Sequence, residues 1–113
     1  MKIINLSKQA ALAEEATLAD TFLSRLKGLL GRQSLGAGEA LMLSPCDSVH
    51  TFFMRFAIDV AFLNKQNEII GIYPCLKPWR ITRIFFKASS CLELPAGVLH
   101  ATQTQLGDHI EII

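Results

Sequence analysis

Long apolar runs are missing from this chain. Arg55 and Asp59 interrupt the longest candidate, so no stretch reaches the ~18 residues of a membrane-spanning helix. An excess of one charge is missing too: 11 Lys and Arg stand against 10 Asp and Glu, a formal net charge of +1. No global field therefore steers the chain toward nucleic acid or a membrane. Cysteine is scarce and odd in number, Cys46, Cys75 and Cys91, which fits reduced thiols packed as small hydrophobes better than a secreted disulfide framework. The opening MKIINLSKQA lacks both the apolar run and the small-residue cleavage site of a signal peptide, and the expectation is a mature, cytoplasmic protein. What the chain has in quantity is apolar side chains. They make up 50% of its 113 residues, with 19% charged, a balance that excludes disorder and suits one packed domain over residues 1–113.

The arrangement of those apolar residues predicts a mainly β fold, with many short strands, regular turns and one or two short helices. Residues 2–6 and 12–19 read as short strands joined by a turn at Lys8 and Gln9. Asp20 or Thr21 can cap a helix in which Phe22, Leu23, Leu26, Leu29 and Leu30 recur at helical spacing, with Gly28 inside it and Gly31 closing it. The run QSLGAGE over 33–39 is a connection. Its glycines lack the Gly-Lys-Ser/Thr that a phosphate loop requires. Residues 40–43 form a strand ending at Ser44-Pro45.

Phe52 to Leu63 carries the clearest pattern. Its even positions Phe52, Met54, Phe56, Ile58, Val60 and Phe62 are all large and apolar. A strand here would bury that face and show a mixed one through Arg55, Ala57, Asp59 and Ala61, with a bulge or break near Ala57 because twelve residues exceed the usual strand. Asn64 to Asn67 supplies a turn, and Glu68 to Tyr73 returns as the hairpin partner. Ile81–Lys87 and Ser90–Leu94 are further strand candidates, Ala96–Thr102 fits one helical turn, and His109–Ile113 closes the chain as a strand with Ile110 and Ile112 inward. The whole reads as a β-sandwich or partly closed barrel.

Three ordered motifs then come together: Arg25-Leu-Lys-Gly-Leu-Leu-Gly-Arg32, the segment His50 to Leu63, and Leu92-Glu-Leu-Pro-Ala-Gly97, followed by Gly107-Asp108. From about Ala16 onward the chain resembles the family called domain of unknown function 192. That resemblance implies a jelly-roll-like β fold and brings no reaction, substrate or cofactor with it. Many members have proline where this chain has Ala57, which implies a kink there.

Candidate chemistry is sparse. In a regular strand Arg55 and Asp59 would share a face about 13 Å apart, and with Arg32 and Glu93 from the other motifs they could bind a polar or anionic small molecule. Against that stands a structural role for Asp59. A charge left unpaired in so apolar a segment would cost several kcal/mol, so it needs a partner: Arg25, Arg32, Arg55 or backbone N–H groups. Cys46 and His50, with His100, Cys75 and Cys91, make at best a weak zinc pattern. No Cys-x2-Cys pair exists, and Phe52 stands where a second histidine of a His-x-His pair would be; neither metal nor cofactor is expected. Cys46 and His50 as thiol and base lack a third orienting group, and the chain has no Gly-x-Ser-x-Gly elbow. Lys77, Trp79, Arg80 and Arg83 form a basic, aromatic patch, with Phe85, Phe86 and Lys87 beside them. It suits single-stranded nucleic acid, an anionic membrane surface or a protein partner about equally, and a hairpin edge guarded by basic residues would look the same; a net charge near zero argues against nucleic acid. Two functions stay open: a non-enzymatic binding module for a small polar ligand or partner protein, which is preferred, and a small-molecule enzyme using Arg55, Asp59 and Glu93.

Overall fold

In the computed structural model, which describes all of residues 1–113, the alternating segment becomes a strand only from Ile58 onward. The elements follow in the order β1 (Ile3–Asn5), β2 (Ala10–Ala13), β3 (Glu15–Ala19), α1 (Phe22–Lys27), β4 (Glu39–Leu43), β5 (Ile58–Leu63), β6 (Ile69–Leu76), β7 (Ser90–Pro95), α2 (Val98–Ala101) and β8 (Ile110–Ile112). The fold is mainly β, as the periodicity predicts. A five-stranded sheet runs β3-β4-β7-β5-β6 and a three-stranded sheet runs β2-β1-β8; neither closes into a barrel. All pairings are antiparallel except β3 with β4. No helix is long and apolar enough to cross a membrane.

The period of two along β5 has a different consequence from the one expected. All six of its residues are buried, because both faces of the large sheet are covered. Ile58, Val60 and Phe62 join Leu41, Leu43 and Cys91 on one face, under Leu29, Val49, Met54 and Phe85 from the loops. Ala61 and Leu63 join Met42, Leu92 and Leu94 on the other, against Ile3, Leu12 and Ile110 of the small sheet and Leu99 of α2. The strand read as half-buried is thus a central one between two cores, and the polar outer face assigned to Asp59 does not exist. Phe52, Met54 and Phe56 fall in the turns before it, so the break near Ala57 is where the strand begins.

Three other expectations change, each for a local reason. Residues 12–19 split at Glu14, where the N–H groups of Glu14 and Glu15 both donate to the Gly38 carbonyl at 2.9 Å and the chain passes from the small sheet to the large one. Residues 81–87 form no strand, apart from an isolated bridge between Ile81 and His50. Their backbone bonds to the loop before β5, the Thr82 N–H donating to the Val49 carbonyl at 2.9 Å and the Phe85 N–H to the Asp47 carbonyl at 2.8 Å. Side chains add to this: the Val49 N–H donates to Thr82 Oγ1 at 2.9 Å, and in the turn ahead Thr51 Oγ1 donates to the Lys77 carbonyl at 2.6 Å while accepting from the Arg80 N–H at 2.9 Å. Helix α1 is shorter than its leucine spacing implies. Thr21 caps it through the Ser24 N–H, and Gly28, at φ 49°, ends it by donating its N–H to the Ser24 carbonyl. Gly28 is therefore a terminator that exploits glycine's freedom at positive φ, rather than an interior residue chosen for close packing. Leu29 is buried beyond the helix, whereas Phe22, Leu23 and Leu26 remain exposed.

A second glycine has a packing reason. On β6, a Cβ at Gly71 would lie 2.3 Å from the Phe85 ring, which stacks on Phe62 at 4.4 Å and carries the Arg83 guanidinium over its other side at 3.9 Å.

Asp59 is fully buried on β5 and pairs with no arginine. Its Oδ1 accepts the Cys75 N–H of β6 at 2.8 Å, and its Oδ2 accepts the N–H groups of Gly97 at 3.1 Å and Leu99 at 2.8 Å. One carboxylate thereby ties the edge strand and the entry to α2 onto the central strand. Of the partners foreseen for it, backbone N–H groups are the ones present. Asp59→Asn would set an amide NH2 against at least one of those donors, and we expect a stability loss of about 2 to 4 kcal/mol in urea melts at pH 7. A loss under 1 kcal/mol would show that the carboxylate is not a structural brace.

Candidate functional site

An antiparallel register puts directly opposed residues on the same face. Glu93 on β7 lies between Leu41 of β4 and Val60 of β5, whereas Asp59 opposes Leu94. Asp59 and Glu93 therefore project from opposite faces of one sheet. They cannot share a site, which corrects the constellation expected from the sequence. Arg55 is exposed in the turn before β5, and Arg32 is exposed and bonded to Glu39 at 3.2 Å. Glu39 in turn accepts the Gly36 N–H at 2.7 Å, a bond that with Arg32 holds its carboxyl below the usual range. Of Arg32, Arg55, Asp59 and Glu93, it is Glu93 that lines the cavity beside α1.

That cavity has a volume of about 90 Å³, room for roughly three water molecules. Its walls come from α1 and the segment that follows it, through Arg25, Leu26, Gly28 and Leu29, and from Val49, His50 and Met54 of the loop between β4 and β5. The early end of α1 makes this wall, because Gly28 turns Leu29 inward and leaves Arg25 beside the loop. The Arg25 guanidinium is anchored there by an Nη1 bond to the Pro45 carbonyl at 3.1 Å.

Two polar atoms of residues that line the cavity are buried without partners: Arg25 Nε, a donor, and Glu93 Oε2, an acceptor when ionised. They do not form an ion pair with each other. Glu93 is only 5% exposed and sits in an apolar part of the sheet. Burial pushes its carboxyl up to about 8, and negative charge on Cys46 adds to the shift. At neutral pH Glu93 is therefore mostly a neutral acid that can donate as well as accept. Cys46 lies beside the cavity in a groove shared with Phe22, Arg25, Leu26 and His50, and its sulfur is 3.1 Å from that of buried Cys91.

The aromatic patch is continuous with this rim. His50 stacks on Phe52 at 5.0 Å and accepts the Phe52 N–H at Nδ1, Phe52 lies 6.0 Å from Trp79, and Trp79 contacts Phe53 at 4.6 Å. Phe53 and Trp79 both have φ near 65°, a strained conformation for large side chains, and both rings are exposed. Lys77, Arg80 and Arg83 are exposed on the same loop. The cysteines and histidines do not form a metal-binding arrangement: no group of three or more His, Cys, Asp or Glu is placed so that it could hold a metal ion.

Arg25 is the residue that reading the sequence left out of the site, having weighed it only as a partner for Asp59. Its signal was position: it opens the glycine-containing motif whose early helix end builds the cavity wall. For Glu93 the signal was a single acid in the otherwise apolar strand Ser90–Leu94.

The fold and these motifs define a family of uncharacterised β proteins. The chain belongs to DUF192 (Uncharacterized ACR), whose family model matches residues 3–112. It is 33% identical over 114 residues to a UPF0127 protein of Pyrococcus furiosus and 32% identical to one of Pyrococcus horikoshii, the match covering 96% of each chain in both cases. Among solved structures it is similar to a protein of unknown function from Novosphingobium aromaticivorans, with a TM-score of 0.84, 19% identity and coverage of 98% of this chain and 82% of that one. A protein from Sinorhizobium meliloti described as a putative transcription regulator gives a TM-score of 0.80 at 18% identity, covering 97% and 89%. These two likenesses establish the shared fold.

The raised Glu93 carboxyl has a signed effect on stability. In the unfolded chain a glutamate ionises near 4.5, whereas in the folded protein this one keeps its proton to about 8. Across that window the folded state binds more protons, so stability from this group is full below about 4.5 and falls as pH rises to about 8. Glu93→Gln removes the dependence. We expect the variant to match the parent near pH 4.5 and to exceed it by roughly 3 to 5 kcal/mol at pH 8 in urea melts; parallel stability curves would show that Glu93 is not held neutral.

Proposed function

We propose that this protein is a binding module whose cavity takes a small polar group presenting one hydrogen-bond acceptor and one donor, such as an amide. The observation that carries the reading is the pair of unpartnered buried atoms, Arg25 Nε and Glu93 Oε2, at one cavity. A ligand acceptor takes the Arg25 N–H and a ligand N–H meets the Glu93 carboxyl, relieving two desolvated groups at once. The size limits what enters to an amide or a comparable group of a few heavy atoms. Exposed Phe22 and Leu26 beside it suit the apolar flanks of a peptide, so a segment of a partner protein fits as well as a free small molecule.

A second reading rests on the same residue. A carboxylic acid held neutral near pH 7 in a cavity is what a general acid requires, so the enzyme alternative survives in reduced form, with Glu93 and without Arg55 or Asp59.

N-methylacetamide, followed by 1H–15N NMR, tests the first reading. We expect saturable shifts of the Leu29, Val49 and Met54 amides at roughly millimolar concentration. Glu93→Gln should keep most of the effect, since it preserves an acceptor and a donor, whereas Glu93→Ala and Arg25→Met should weaken it about tenfold or more. Shifts that ignore all three substitutions would remove the cavity from the binding site. Native mass spectrometry of protein isolated from its own cells then looks for a retained molecule, and conversion of that molecule by the parent but not by Glu93→Gln would favour the enzyme reading.

A further inference from the structure

Cys46 and Cys91 are 45 positions apart in the chain, yet their sulfurs approach to 3.1 Å, the Cys91 thiol donating to Cys46 Sγ. The approach is enforced by backbone on both sides. Cys91 is fixed in β7 between Leu43 and Phe62, pointing into the loop-covered core. Cys46 follows the end of β4, where its N–H donates to the Ser89 carbonyl at 3.3 Å, just before β7, and Arg25 holds the Pro45 carbonyl. From this juxtaposition we infer that Cys46 and Cys91 are a reversible disulfide site, closed by exchange with a low-molecular-weight disulfide and opened by thiols.

The two sulfurs differ in the way such exchange needs. Cys46 is half-buried and lines two surface grooves, so a reagent reaches it; Cys91 is fully buried and is not attacked first. The hydrogen bond from Cys91 lowers the Cys46 thiol below its usual range, while burial holds Cys91 well above it. Cys46 is thus the attacking thiolate. It displaces one thiolate from the small disulfide, forming a mixed disulfide and leaving its own proton with solvent. Cys91 then loses its proton, attacks Cys46 Sγ and displaces the second thiolate. The two protein thiols are oxidised by two electrons in total, and the small disulfide is reduced to two thiols. Closing the bond to ~2.05 Å requires the sulfurs to approach by only about 1 Å. The bond would fasten that loop to β7 two residues from Glu93, at the groove beside the cavity. The inference does not depend on the cavity's ligand.

Cys75 supplies an internal control, being exposed on edge strand β6 with no thiol beside it. The intact protein is incubated with oxidised glutathione at pH 8, and its cysteine states are read by intact mass and by mapping peptides without reduction. We expect a peptide joining Cys46 to Cys91, a glutathione adduct confined to Cys75, a melting temperature above that of the reduced protein, and full reversal by dithiothreitol. Cys91→Ala should instead accumulate a lasting adduct on Cys46. If that variant fails to fold, the parent's linked peptide decides alone. Persistent glutathione on Cys46 of the parent, or both thiols still reduced when Cys75 has reacted fully, would overturn the inference.

Discussion

Strands β5 and β7 lie between two apolar layers, and every polar side chain on them must find a partner inside the protein or remain desolvated. The large sheet has loops and the residues after α1 on one face, and the small sheet with α2 on the other. Two carboxyls fall on these strands, and they meet the constraint in opposite ways. Asp59 is surrounded by three backbone donors, so its charge is accommodated and used to brace β6 and the start of α2. Glu93, on the other face, has no donor at Oε2 and takes up a proton instead. One is a structural brace and the other an unspent polar group, and the difference comes from which face each occupies.

The surroundings of Glu93 are assembled from α1, the segment after it and the loop before β5. Helix α1 buries none of its own residues, and its role is to carry Arg25 and to turn Leu29 inward at Gly28. The loop from Cys46 to Met54 is fastened to residues 79–85 by backbone bonds from Asp47, Val49 and Thr51 and by the side chains of Thr51 and Thr82. At the adjoining rim the backbones of Phe53 and Trp79 are strained.

Elsewhere the polar bookkeeping closes. In the small sheet, buried Asn5 donates to Asp108 and Thr104 at 2.9 Å, while Lys8 and the Gln105 N–H reach Asp108 at 3.0 Å, tying β1 to the turn before β8. Satisfaction of this kind is the rule for buried groups, and it makes the unpartnered Glu93 informative.

Strand and turn positions were largely legible in the sequence because short-range rules decide them. Periodicity placed the strands at 40–43 and 90–94 and the third within 52–63, with a break near Ala57 where the strand in fact begins, turn residues placed 64–67 and 107–108, and three motifs marked the family over most of the chain. Those same residues also implied that Asp59 must be paired. Which face each side chain uses, and what covers that face, was decided only by tertiary structure. Periodicity distinguishes two faces but cannot say that both are buried, so Asp59 and Glu93 looked like neighbours when a sheet separates them. The convergence of Arg25 and Glu93 on one cavity, and of Cys46 and Cys91 on one contact, joins segments dozens of residues apart. No local pattern encodes it, because it follows from strand order and from a helix that stops one turn early at Gly28.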